Sequence, residues 1–72
     1  MSYYPNLVSL LEQRRISAPM LAKVIGVSDK SALDKIKGLY DFKLDEAKKV
    51  MTLFPEYSFD FVFAKGERPV KA

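Results

Sequence analysis

The sequence predicts an all-α fold of five short helices in one small domain, and three observations carry that expectation. Apolar residues recur at three- and four-residue spacing in successive segments. Ser17, Ser28 and Ser58 stand where helix N-caps belong, while Gly26, Gly38 and Pro55 stand where helices end. The one alternating run, "FDFVF" from Phe59 to Phe63, has no second strand to pair with, so it too is read as a helix.

Each element follows in order. Asn6 is the expected N-cap of the first helix, after Pro5. Leu7, Leu10 and Leu11 form its apolar side, and Arg14 and Arg15 suit the negative end of the dipole in its last turn. Ser17 caps the second helix, with Pro19 in the first turn where a missing N–H costs nothing. Its apolar side is Met20, Leu21, Val24 and Ile25, and Gly26 ends it as a left-handed residue. Only Val27 separates Gly26 from Ser28, the cap of a third helix that starts at Asp29, buries Ala32 and Ile36 and closes at Gly38. Leu39 to Phe42 reads as a turn with apolar anchors. The fourth helix is expected from about Leu44 to Phe54, burying Leu44, Ala47, Val50, Met51 and Phe54, with Pro55 as its stop. Ser58 caps a last short helix in which Phe59, Val62 and Phe63 share one side. Residues 1–64 are thus read as the domain, and residues 65–72 as a flexible basic tail.

Composition bounds the chemistry. In 72 residues there is no cysteine, which removes disulfides and thiolate metal sites, and no histidine, the commonest general base. No glycine-rich phosphate loop is present either, so no enzyme and no cofactor are expected. Neither a signal peptide nor a spanning segment is read, and a cytoplasmic location is expected. The net charge of +3 is mostly in the tail, where three cations oppose one carboxylate; nine cations nearly balance eight carboxylates in the rest. Bulk charge therefore does not decide for nucleic acid.

A small residue within one helix, a glycine at the turn and a capped second helix are what a helix-turn-helix unit needs, and Ala22, Gly26 and Ser28 supply them. The segment Leu7 to Phe63 resembles the phage repressor/Cro-type (XRE-like) helix-turn-helix family. The likeness lies in "LAKVIGVS" across the turn, "KIKG" ending the third helix, Phe42-x-Leu44 opening the fourth and "YSFDFVF" closing the domain. It implies a lambda-repressor-like five-helix domain that dimerises on double-stranded DNA, with the third helix in the major groove. The length is similar to that of a free-standing Cro-type regulator in a bacterial host.

By position, the resemblance assigns base contacts to Asp29, Lys30, Ser31 and Asp34, next to the capping Ser28. Lys30 could donate to guanine, and an aspartate could accept from cytosine. Phosphate contacts fall to Lys23, Lys37 and Lys43. Three residues depart from the family pattern. Ala18 replaces a frequent phosphate-gripping glutamine, two reading positions are acidic, and Lys35 stands where relatives keep an apolar residue. The last departure implies a third helix turned slightly about its axis, or an outward Leu33. The acidic pair also suits an ordinary solvated helix face.

Phe61, with Tyr57, is expected on a partner surface, because a five-residue helix cannot bury both of its sides, and Leu33 is a further candidate. A homodimer is the simplest partner. The alternative function is an antirepressor, a small phage protein that holds the DNA-binding domain of a phage repressor through its third helix.

Overall fold

The computed structural model of the chain describes residues 3–66. Five helices follow in the order α1 Pro5–Gln13, α2 Ala18–Ile25, α3 Asp29–Lys37, α4 Leu44–Met51 and α5 Phe59–Val62. The expected all-α class is therefore the observed one. Among the described residues there is no strand; Tyr3 and Gly66 form an isolated antiparallel bridge, with the Gly66 N–H donating to the Tyr3 carbonyl at 3.0 Å. That bridge carries ordered backbone two residues past the expected limit at 64, and the rest of the expected tail lies outside the described residues.

Local chemistry explains the helix ends. The Ser17, Ser28 and Ser58 hydroxyls each accept the N–H three residues on, from Met20, Ser31 and Phe61. Gly26 at φ +75° and Gly38 at φ +86° end α2 and α3 in the left-handed region. α1 ends in the same way without a glycine: Arg15 adopts φ +56°, its N–H donates to the Glu12 carbonyl, and the Ile16 N–H donates to Leu11. Arg14 and Arg15 thus lie just past α1, not in its last turn.

Two other boundaries differ from expectation. Tyr4, not Asn6, is the N-cap of α1, because Pro5 already occupies its first turn; the Asn6 amide instead donates to the Phe61 carbonyl at 2.9 Å. α4 stops at Met51, and turns through Thr52–Phe54 bring Phe54 into the core before Pro55.

The core is built from Tyr4, Leu7, Leu10 and Leu11, from Leu21 and Ile25, and from Val50, Phe54 and Val62, with Ala22, Ala32 and Ala47 buried at the helix approaches. α2 packs on both α3 and α4, and α5 packs on α1. Each buried leucine contributes about 1.5–3 kcal/mol. Leu44 and Phe59, expected inside, are exposed, at 67% and 45%. Leu44 is the first residue of α4 and projects beyond the packed turn, while Phe59 leans on Phe63, with ring centroids 4.9 Å apart. Both border a groove of about 310 Å³ with Tyr4, Phe42, Ala47 and Phe63. No helix among the described residues is long and apolar enough to cross a membrane.

Candidate functional site

The α2–α3 unit is closed by small residues. Ala22 and Ala32 are buried, so the two helices approach closely, and Gly26–Val27–Ser28 turns the chain between them. This packing leaves one side of α3 to solvent. Asp29, Lys30, Leu33 and Lys37 are exposed there, and Ser31 and Asp34 are half-covered. Ser28 is exposed as well, but its oxygen is engaged by the Ser31 N–H. Lys23 on α2 and Lys43 at the head of α4 are exposed as well.

Lys30 Nζ lies 3.2 Å from Asp34 Oδ2, one turn along α3. The Lys30 side chain is 85% exposed and the Asp34 side chain 15%. The solvent side of α3 therefore holds two lysines and two aspartates, with one ion pair already made. An exposed pair at this spacing stabilises by only about 0.3–0.5 kcal/mol. A good base contact discriminates by about 1–3 kcal/mol, so the pair does not hold Lys30 back from a stronger acceptor.

The remaining α3 charge points inward. Lys35 Nζ donates to Glu46 Oε1 at 2.8 Å and to the Asp41 carbonyl at 3.1 Å, and it stands 6.0 Å from the centre of the Phe42 ring. The same Glu46 oxygen accepts the Lys43 N–H at 2.9 Å, which caps α4 from its third residue. Asp41 Oδ1 accepts the Phe42 N–H at 2.9 Å and a short hydrogen bond from the Tyr4 hydroxyl. A single polar chain thus ties Tyr4 before α1, Lys35 in α3, the connection at Asp41 and Glu46 in α4. Burial pushes the Glu46 carboxyl up, but the hydrogen bonds from Lys35 and the Lys43 backbone, with both positive charges, outweigh it and hold it below the ordinary value.

The arrangement brings some expected site residues together. Ser31 and Lys43 border one hollow of about 470 Å³, with Val27, Lys35, Tyr40, Asp41 and Glu46. Tyr57 and Phe61 stack at 5.2 Å with their planes 15° apart, and Phe61 is 44% exposed. Leu33 sits on α3, which packs on α2, whereas α5 packs on α1. Leu33 does point outward, at 40% exposure, because Lys35 takes the inward position.

Sequence reading missed Glu46, Asp41 and Tyr4. A glutamate at the third position of a helix is a visible capping signal, so Glu46 was accessible in part. Nothing local pairs Tyr4 with Asp41. Arg14 was expected only at a helix end; it also donates to the Leu53 carbonyl at 2.6 Å, pairs with Glu56 at 2.7 Å and lies 4.8 Å over the Phe54 ring. The Arg14 hydrogen bond holds the exposed Glu56 carboxyl below its usual value.

Comparison with known proteins returned no match to any protein-family description, curated protein or solved structure.

Proposed function

We propose that the chain is a sequence-specific DNA-binding regulator that lays the exposed side of α3 in the major groove. One observation carries the reading: two helices joined through a left-handed Gly26 and the Ser28 cap, with Ala22 and Ala32 sealing their contact and α3 left open to solvent. Lys30 and Ser31 read base edges, while Lys23, Lys37 and Lys43 meet phosphates. Two copies on a near-palindromic operator would set two such helices about one DNA turn apart, with the exposed Phe61, stacked on the half-buried Tyr57, as a contact between them. Repression is then steric, in the cytoplasm of a bacterial host.

The test is selection from a random duplex library at about 50 mM and about 200 mM salt, beside a Lys30→Ala/Ser31→Ala variant. A two-fold motif, weakened by salt and absent in the variant, supports the reading; no retention of any duplex at low salt refutes it.

A second reading has its own observation in favour. The balanced charge of α3, its Lys30–Asp34 pair and the outward Leu33 suit a protein partner as well as a polyanion. On that reading the chain is an antirepressor, holding the basic DNA-reading face of a phage repressor against Asp29 and Leu33.

A further inference from the structure

The apolar residues of α3 call for one rotation of the helix, and the folded chain adopts another. At about 100° per residue, Ala32, Leu33 and Ile36 define an apolar side centred between Ala32 and Leu33. The residues that are buried are Ala32 and Lys35, with Ile36 only half-covered and Leu33 in solvent. The inward side is displaced by about 80° from where hydrophobicity alone would put it. Burying a lysine in place of a leucine has a high desolvation cost unless every partner is in place. Here Glu46 and the Asp41 carbonyl both meet Lys35 Nζ, and no buried side-chain polar atom among the described residues lacks a partner.

We propose that the Lys35–Glu46 pair is a positioning device that selects the rotation of α3 and thereby decides which side chains the helix presents. With the pair in place, Lys30, Leu33 and Lys37 face out. Turned by about 80° to bury Leu33, the helix would carry Lys37 toward the rim and Ser31 outward. The pair thus determines specificity without touching a ligand. That consequence rests on α3 being the contact surface; the rotation itself does not.

The chain has no cysteine, so a single introduced thiol reports its own accessibility. Ser31→Cys and Lys37→Cys would each be made in the otherwise unchanged chain and in a Glu46→Leu background, which leaves Lys35 without its counterion, and their rates with an aromatic disulfide reagent compared. Helical circular dichroism would monitor the fold. In the Glu46→Leu background the Ser31→Cys rate is expected to rise at least about threefold and the Lys37→Cys rate to fall by a similar factor, as Lys35 turns toward solvent and Leu33 turns in. Unchanged rates, or a rise at both positions, would overturn the proposal, the second because it signals loosening and not rotation. Glu46→Gln keeps the shape of the side chain while removing the charge; the same opposed changes are expected there, and this background decides if the Glu46→Leu one does not fold. Repeating the library selection with these backgrounds separates the two levels. Opposed thiol rates with an altered motif support both, and opposed rates with no DNA bound by any variant leave the rotation standing and remove the DNA reading.

Discussion

Lys35 and Glu46 meet at 2.8 Å with each side chain only 8% exposed, a cation and an anion eleven positions apart that share one buried contact between α3 and α4. Breaking such a pair from one side strands a charge at a cost of about 3–5 kcal/mol, whereas replacing both partners by apolar residues is often neutral or stabilising. Lys35→Met alone should therefore remove much of the stability of a domain this small, about 4–10 kcal/mol in total. Lys35→Met/Glu46→Leu should recover most of the loss. Urea unfolding of the three variants beside the parent checks this; a double variant no more stable than the single one would contradict it.

Acid should act through the same residue. Glu46 titrates below the ordinary value of 4.5 in the folded chain, so as pH falls the unfolded chain takes up its proton first. The stabilisation is fully present above about pH 5, declines below 4.5 and is gone once pH passes the folded value. Glu56, lowered by Arg14, adds to the same acid limb. Urea midpoints between pH 3 and pH 7 should fall on the acid side, with a shallower fall in Glu46→Gln. An identical slope in that variant would assign the acid limb elsewhere.

The left-handed residues separate conformational cost from steric cost. At Arg15, φ +56° is unfavourable for a side-chain-bearing residue by about 1–2 kcal/mol, part of which Arg15→Gly returns as unfolded-state entropy. A net gain of about 0.5–1 kcal/mol is expected, or a few degrees in Tm. Gly26→Ala should lose about 1–2 kcal/mol through φ alone, since no atom lies within 4 Å of where its Cβ would stand. Thermal melts of the two variants should move in opposite directions.

Asp34→Asn probes the solvent side of α3. The substitution removes a carboxylate from the solvent side of α3 and releases Lys30 from its ion pair. On the DNA reading, affinity for non-specific duplex should rise several-fold, with a steeper salt dependence. On the antirepressor reading, affinity for a basic protein face should fall instead. Fluorescence anisotropy with labelled duplex distinguishes the two.

The three serine caps and the two glycine stops were legible because they are local, whereas the cap of α1 and the end of α4 were misplaced. Ser17, Ser28 and Ser58 bond three residues onward, and Gly26 and Gly38 solve a backbone problem at their own positions. Arg15 solves the same problem without the residue type that would reveal it. Leu44 and Phe59 have the right helical phase for burial, but each opens a helix and lacks a neighbouring turn to cover it. At Lys35 the departure from an apolar pattern was visible, and an outward Leu33 was one of the two consequences it left open. The partner Glu46 was not, because a pairing between helices leaves no periodic trace. The candidate face of α3 was legible as a capped segment, and its ion pair as a four-residue spacing.

The bridge between Tyr3 and Gly66 joins positions roughly sixty residues apart, and closing a loop of that length costs about 4 kcal/mol in chain entropy. One backbone hydrogen bond returns only about 0.5–1.5 kcal/mol. That single bond does not offset the closure, so the bridge depends on the helices to hold its two stretches of backbone together. Pro5 would stand 2.7 Å from a Cβ added at Gly66, so even a methyl group there would force the Pro5 ring or the Gly66 backbone to shift. Tyr3 and Gly66 thus form a hem, held shut by the cloth on either side of it and not by its own stitch.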